Sequence, residues 1–214
     1  MNNFPKNISG IQLHNVGKKF RDQWIFRKID FHIAKGEKVA INGHNGSGKS
    51  TLLQIISGYV SASEGKVDWL SGDTALLPEQ VYKHIALASP YLDLIDEFTL
   101  EENIDFFTRL KPVKQGFSSN DLLKLTGLEN AAGRQFRYFS SGMKQKVKLT
   151  LAFLADVDIL LLDEPLSNLD QAGYSWYQEI FNNYGKDKTI IVCSNMVKEE
   201  IFFCTRFLNI EEFK

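Results

Sequence analysis

The pattern of apolar and polar positions divides the chain into three parts. Near the N-terminus, apolar and polar residues alternate in segments 10–16 and 29–33, which predicts strands with one buried face. The middle of the chain instead carries helix-start and helix-stop signals. Towards the C-terminus, residues 159–162 and 189–194 form continuous apolar runs, which are typical of buried parallel strands. This order predicts a mixed α/β chain with a helical insertion near its middle.

The helical middle part has clear boundaries. Thr99–Glu102 has the pattern of a capping box ahead of an apolar run, and Pro112 ends the helix that begins there. A second helix is predicted over 120–126 and closes at Gly127, and a third over 141–155. The same reasoning predicts the remaining elements, namely strands at 38–42, 65–70 and 84–88 and helices at 51–56 and 172–184.

A glycine-rich loop joins the strand at 38–42 to the helix at 51–56. It has the pattern G-x-x-x-x-G-K-[ST] between a strand and a helix, which is the context that a phosphate-binding loop requires. Glycine lets several backbone N–H groups converge on one phosphate, and the helix dipole adds to the attraction. We therefore predict that Lys49 binds the outer phosphates of a nucleotide and that Ser50 offers its hydroxyl to Mg²⁺. The phosphate loop reads Gly43, His44, Asn45, Gly46, Ser47, Gly48, Lys49, Ser50 and Thr51.

Two acidic residues, Asp163 and Glu164, directly follow the apolar run at 159–162. The carboxyl end of a strand is where open α/β sheets bind ligands. We predict that Asp163 holds Mg²⁺ and that Glu164 polarises a water for attack on the terminal phosphate. A purely structural pair of acids is the alternative, and the phosphate loop elsewhere in the chain favours the catalytic interpretation.

Composition and charge narrow the choice of function. The 214 residues are enough for one sizeable domain, and a net charge of −1 gives no strong attraction for nucleic acid or an anionic membrane. Cys193 and Cys204 match no metal-ligand spacing, and Cys193 lies in an apolar run, so we expect a buried free thiol and a reducing compartment. Met1–Lys6 lacks the apolar stretch of a signal peptide, and no run is long enough to span a membrane. A membrane role would therefore require a partner.

Beyond these motifs, nearly the whole chain resembles the ATP-binding subunits of ABC transporters. Phe139–Met143 stands where that family has its L-S-G-G-Q signature, just before the strand that ends in the acidic pair. Ser167–Asp170 resembles the family's D-loop, and Phe20 stands where the family has an aromatic that stacks on adenine. The resemblance implies a single ATP-binding domain over 1–214: an α/β P-loop NTPase core with a mixed sheet, an N-terminal antiparallel β-subdomain and a helical subdomain inserted at about 89–155.

The resemblance also implies a mechanism and partners. Two subunits would sandwich two ATP molecules with Mg²⁺, each ATP touching the phosphate loop of one subunit and the signature of the other, through Ser140, Ser141 and Gly142. Asp170 would complete the site from the D-loop. The partners would be a second ATP-binding subunit, identical or different, and a transmembrane permease subunit. The chain would then lie in the cytoplasm, peripheral on the inner face of the membrane through the permease.

Three of these residues have simpler interpretations. Phe20 would be an ordinary core residue if it packed inside the sheet. Ser140 and Asp170 would each be the N-cap of the helix that follows, a role compatible with nucleotide contacts.

The chain departs from the family at several places. Ser89 or Pro90 stands where the family has a glutamine, and Asn195 stands in place of a histidine that reaches the terminal phosphate. In the signature, Ser141 replaces a glycine and Met143 a glutamine. Because one positioned donor is worth on the order of 10²–10³ in rate, we expect a slow or partner-dependent ATPase.

Two other functions stay open at this stage. The first alternative is a non-transport ABC protein that acts as a slow or hydrolysis-deficient nucleotide switch. A nucleic-acid-linked ATPase is a weaker third option, because ATPases of that kind need long insertions or basic surfaces and this sequence shows neither. In the transporter interpretation, the segment Tyr91–Phe98 would receive a helix of the membrane subunit; otherwise it is an ordinary solvated loop.

Overall fold

The computed structural model describes residues 8–72 and 74–214. The segment Met1–Lys6, which is predicted to lack the apolar stretch of a signal peptide, therefore lies outside the described residues. The chain divides into two compact units, each formed by separate stretches of sequence. The first consists of Met1–Ile85, Val157–Asp163 and Lys188–Lys214, and the second of Ala86–Asp156 and Glu164–Asp187.

An antiparallel sheet forms much of the first unit. Its strands β1 (Gly10–Phe20), β2 (Gln23–Ala34), β4 (Glu64–Ser71) and β5 (Thr74–Ala75) lie in the order β2–β1–β4–β5. The alternation seen in the sequence is confirmed, because every apolar side chain of the inner face of β1 is buried. The observed strands run longer than predicted, since β1 and β2 continue to the tight turn between Phe20 and Gln23.

The second sheet carries the candidate chemistry at its strand ends. It consists of β3 (Lys38–Asn42), β6 (Ile85–Ala88), β7 (Ile159–Asp163), β8 (Thr189–Ser194) and β9 (Arg206–Asn209), in the order β6–β7–β8–β3–β9. The pairs β7–β8, β8–β3 and β3–β9 are parallel. All residues of β7 and β8 are buried, as their continuous apolar runs predicted. Strand β9 was not predicted, because its four residues alternate only once between exposed and buried positions.

The described part of the first unit contains the helices α1 (Lys49–Ile56), α2 (Pro78–Val81) and α7 (Lys198–Ile201). A short 3₁₀ helix at Ile210–Phe213 follows β9. The last residue of α1 is tied to the antiparallel sheet, since the indole N–H of buried Trp69 donates to the Ile56 carbonyl at 2.8 Å. The helix that begins at the phosphate loop is therefore fixed at its far end.

The second unit is built around four helices, α3 (Leu100–Leu110), α4 (Ser119–Thr126), α5 (Ser141–Leu154) and α6 (Gln171–Tyr184). The predicted capping box at the start of α3 is confirmed. Thr99 Oγ1 accepts from the Glu102 N–H at 3.2 Å, and a Glu102 carboxylate oxygen accepts from the Thr99 N–H at 2.7 Å. Helix α4 ends, as predicted, at Gly127 in the left-handed conformation.

Helix α5 is anchored at its C-terminal end. The Lys114 N–H donates to the Leu154 carbonyl at 2.9 Å, and the Asp156 N–H donates to the Pro112 carbonyl at 2.8 Å. Near the same end, the fully buried rings of Phe153 and Tyr177 meet edge to face, which packs α5 against α6. In the described part of the chain, no helix is both long and apolar enough to cross a membrane.

Candidate nucleotide site

The phosphate loop has a backbone that glycine makes possible. Gly43, Gly46 and Gly48 all have positive φ, at 155°, 80° and 106°. A Cβ at Gly48 would lie 2.6 Å from a methyl carbon of Ile25, and one at Gly43 would lie 2.5 Å from Ser47 Oγ. Larger residues at these two positions would therefore both strain the backbone and displace their neighbours.

Lys49 is folded back into its own loop. Its side chain is 4% exposed, and its ammonium donates to the Gly43 carbonyl at 2.8 Å, the His44 carbonyl at 3.1 Å and Asn195 Oδ1 at 2.6 Å. A buried ammonium requires such partners, because an unpaired charge away from water is costly. The cation is thus held at the inner edge of the loop.

Asn195 bridges the phosphate loop from a neighbouring strand. Strands β3 and β8 pair in a register that sets Asn42 opposite Ser194, so the residues that follow both strands meet. Asn195 accepts from Lys49 and donates through Nδ2 to Asn45 Oδ1 at 2.6 Å. The residue that stands in place of the family's histidine is therefore in contact with two residues of the loop.

Ser50 and Asp163 form the part of the site that fits Mg²⁺. Ser50 Oγ donates to Asp163 Oδ1 at 3.0 Å, and Asp163 is 3% exposed at the end of β7. A hydroxyl and a carboxylate are the oxygen ligands that Mg²⁺ prefers, with phosphate and water completing its shell. No cluster of three or more His, Cys, Asp or Glu side chains suited to a metal occurs in the described residues, and this type of Mg²⁺ site does not need one. Thr51, the other hydroxyl of the loop, is half-buried in the first turn of α1.

Glu211 contacts the phosphate loop at His44, although it lies outside every motif of the sequence. One of its carboxylate oxygens accepts from the His44 N–H at 2.7 Å and contacts His44 Nδ1 at 2.6 Å. The hydrogen bonds from the His44 backbone and imidazole keep the pKa of the Glu211 carboxyl below its ordinary value. Only its place in the 3₁₀ helix after β9 brings it here, and no motif marks it.

An open cavity of about 650 Å³ adjoins the loop at the carboxyl ends of β3, β8 and β9. Among the described residues, the buried oxygens Asn42 Oδ1 and Ser47 Oγ have no hydrogen-bond partner, which leaves acceptor and donor capacity for a ligand in this part of the molecule. The cavity is lined mainly by polar side chains and by backbone, namely Asn42, Gly43, His44, Asn45, Asn195, Met196, Asn209 and Glu211.

Glu164, in the second unit, begins a constrained loop. It is half-buried with φ 44°, a left-handed conformation that costs a non-glycine residue energy and is common at functional sites. Its carbonyl accepts from the Ser167 N–H at 3.0 Å, and Asn168 is also left-handed, with φ 65°. The Pro165 carbonyl accepts from buried Gln145 of α5 at 3.0 Å. Glu164, the predicted general base, thus lies in a loop whose next residue, Pro165, is held by helix α5.

The signature segment, Phe139–Met143, lies at the start of α5. Ser140 is the N-cap of this helix, and its Oγ accepts from the Met143 N–H at 3.2 Å. Ser140 and Ser141 are exposed, whereas Gly142 packs so closely that a Cβ there would lie 2.6 Å from the Asn168 carbonyl oxygen. The signature and the D-loop segment are therefore in contact within the second unit.

The structure tests the simpler interpretations of Asp170 as an N-cap and of Phe20 as a core residue. Asp170 Oδ1 accepts from the Gly173 N–H at 2.8 Å, so the N-cap interpretation of Asp170 is confirmed, as it is for Ser140. The core interpretation of Phe20 is wrong, because this ring is 53% exposed at the end of β1. The reason is the length of β1, which carries Phe20 beyond the packed part of the sheet.

Comparison with known proteins identifies the family. The family model described as "ABC transporter" matches residues 26–167, which is more than half of the chain. The ABC transporter ATP-binding protein NatA of Bacillus subtilis is 31% identical over 199 residues, covering 89% of this chain and 81% of NatA. The ATP-binding cassette sub-family A member 7 of the rat is 28% identical over 91% of this chain, and the chain spans only 9% of the length of that relative.

A solved structure agrees with the sequence match. A dimeric ATP-binding cassette in a post-hydrolysis state, bound to ADP and Pi, is 26% identical and superposes with a TM-score of 0.77, covering 94% of both chains. The predicted fold, with its P-loop core, antiparallel β-subdomain and helical subdomain, is thereby confirmed. The chain belongs to the ABC transporter family, and it is an ATP-binding subunit of the ATPase type.

Proposed function

We propose that this chain binds ATP together with Mg²⁺ on its phosphate loop, hydrolyses it slowly, and uses the cycle to energise a separate membrane subunit. The observation that carries the proposal is the pairing of Ser50 with Asp163 beside a Lys49 ammonium that is already held inside the loop. These are the donors and acceptors that a nucleoside triphosphate with its metal requires.

Each residue has a separate task in the proposed reaction. Lys49 exchanges the Asn195 oxygen for a phosphate oxygen, and the loop N–H groups take up further phosphate charge. Mg²⁺, held by Ser50 and Asp163, would neutralise charge between the outer phosphates. Glu164 accepts a proton from the attacking water. In the proposed dimer, the nucleotide of the opposite subunit is contacted by Ser140, Ser141 and Gly142. Phe20 stacks on the adenine of the nucleotide that is bound to the same subunit.

Turnover is proposed to be slow because two polar groups of the family are replaced. Asn195 can hydrogen-bond a phosphate oxygen but cannot carry charge. The turn at Ser89 and Pro90 offers no glutamine side chain. Phosphate release by the purified protein with ATP and Mg²⁺ tests this: turnover as fast as that of a relative with both residues would contradict it. ATP binding with no turnover at all would instead favour the alternative, a nucleotide switch.

We expect Asn195→Ala to lower kcat by at least about a hundredfold while ATP affinity changes little, because one positioned hydrogen bond is lost but Lys49 keeps its charge. The measurement is phosphate release together with equilibrium binding of ATP. Asn183→Ala, on helix α6, is a control. Equal losses of affinity and turnover would mean that Asn195 supports the loop and not the reaction.

We expect Gly142→Ala to abolish ATP-dependent dimerisation, because the added methyl carbon would lie 2.6 Å from the Asn168 carbonyl and push the D-loop segment away. Overpacking of this kind typically costs about 1–3 kcal/mol of stability as well. Gly133→Ala is the matched control, since a Cβ there would have no heavy atom of the described residues within 4 Å apart from its own chain neighbours. Sedimentation in the presence of ATP would measure the dimer, and an unchanged dimer in the Gly142 variant would contradict the proposed packing.

The second partner in the proposal is a transmembrane permease subunit, which would keep this chain on the cytoplasmic face of the membrane. The docking segment, Tyr91–Phe98, supports it, because Tyr91 and Leu92 are 83% and 48% exposed and the segment also contains three exposed acidic residues. A photo-crosslinker at Tyr91, with one at exposed Tyr59 as control, tests contact with a co-expressed multi-span subunit. Equal labelling from both positions would count against docking here.

A further inference from the structure

Helix α5 holds both ends of the stretch from Ser89 to Asp96 through two lysines. The Lys148 ammonium donates to the Ser89 carbonyl at 3.0 Å and to the Pro90 carbonyl at 3.3 Å. One turn earlier, the Lys144 ammonium pairs with Asp96 Oδ1 at 2.6 Å. Residues four apart share one face of a helix, so a single face of α5 makes both contacts.

The contacts of the two lysines differ in burial and therefore in how much they contribute to stability. The Lys144–Asp96 pair is partly exposed to solvent, with the two side chains 21% and 50% exposed, and ion pairs near the surface contribute little. Lys148 is only 8% exposed. Burial lowers the pKa of its ammonium, while the charge of Asp93 acts in the opposite direction. A cation at such a position is costly unless strong acceptors compensate it, and the two backbone carbonyls supply them.

The turn that Lys148 binds, Ser89–Pro90, makes long hydrogen bonds to the residues that follow it. Proline has no N–H to donate and a fixed φ. The Tyr91 N–H donates to Ser89 Oγ and the Leu92 N–H to the Ser89 carbonyl, both at the long distance of 3.3 Å. We call Ser89–Pro90 the entry turn, because strand β6 passes through it into the docking segment.

Helix α5 also begins at the signature segment and binds the loop of Glu164 through Gln145, three residues before Lys148. We propose that Lys148 is a positioning residue that ties the entry turn to the signature helix, so that the docking segment responds to bound nucleotide through α5. This inference rests on the proposed function, because it assigns a coupling role to the segment proposed to meet the membrane subunit. In this chain, a lysine from the helix holds the turn where the family's glutamine is missing.

The test compares Lys148→Met and Lys148→Arg with the wild-type protein. Methionine keeps much of the length of lysine but cannot donate, so the Ser89 and Pro90 carbonyls lose this donor, and thermal unfolding without nucleotide shows whether the variant still folds. Lys124→Met, at an exposed position of α4, controls for loss of one charge. The readouts are hydrogen exchange of residues 89–98 with and without ATP and Mg²⁺, ATP affinity, and kcat.

In the wild type, ATP is expected to change the exchange of residues 89–98. In Lys148→Met that change should fall at least about threefold, with ATP affinity unchanged. Its kcat should fall by roughly tenfold, as expected from a misplaced group near the reaction. Lys148→Arg and Lys124→Met should behave as the wild type does.

Either of two results would overturn the proposal: no response of residues 89–98 to ATP in the wild type, or a full response and normal kcat in Lys148→Met. A wild type that binds ATP without turnover would reject the proposed hydrolysis separately. The exchange measurement would still decide the role of Lys148 in that case, because it depends on binding alone.

Discussion

Replacing Glu164 with glutamine is expected to reduce ATP turnover by a factor on the order of 10²–10⁴, the usual contribution of a general base. Glutamine has nearly the same shape but cannot accept the proton of the attacking water. ATP binding should persist, because the phosphate loop is unchanged, and ATP-bound dimers should accumulate. Phosphate release and sedimentation with ATP measure the two effects on one sample.

Glu129→Gln is the matched control, since Glu129 is exposed in a short 3₁₀ helix of the same unit. If Glu164→Gln kept wild-type turnover, another group would be the base. If neither protein turned over ATP but both bound it, the chain would be a switch or a subunit that depends on its partner. The search would then move to that partner.

Replacing Lys49 with alanine is expected to weaken ATP binding by at least about a hundredfold, because a hydrogen bond to a charged group contributes about 1.5–3 kcal/mol and Lys49 would serve two phosphates. The change also leaves the Gly43 and His44 carbonyls without their donor. Titration with ATP and Mg²⁺ measures the affinity, and thermal unfolding without nucleotide shows whether the loop itself is destabilised.

Lys35→Ala removes the same charge from an exposed position of the first unit and should leave ATP affinity unchanged. Lys49→Ala protein that folds and still binds ATP as the wild type does would contradict the assignment of the phosphate loop. A loss of binding together with early unfolding would require Lys49→Met, which keeps more of the apolar stem, to separate the two causes.

Local signals in the sequence predicted much of the fold. The capping box at Thr99 and the left-handed Gly127 act on their own helix ends, so a short segment contains the whole explanation. The continuous runs of β7 and β8 were equally informative, because both faces of a central parallel strand are buried.

The features that the sequence did not predict depend on distant parts of the chain. Glu211 reaches His44 only because β9 pairs with β3, and neither residue carries a motif for the other. Lys148 stands among lysines at every second position, and sequence does not reveal which of them faces inward. Phe20 was ambiguous for the same reason, since its exposure depends on where the sheet stops covering β1.

The anchored C-terminal end of α5 gives the helix the geometry of a lever. With 14 residues, α5 is about 21 Å long, and Lys148 lies about 9 Å from the fixed end at Leu154. A tilt of about 5° around that end would move the signature by about 2 Å and the Lys148 backbone by less than half as much, roughly 0.8 Å. Motion at the signature would therefore reach the entry turn reduced, and motion at the entry turn would reach the signature amplified.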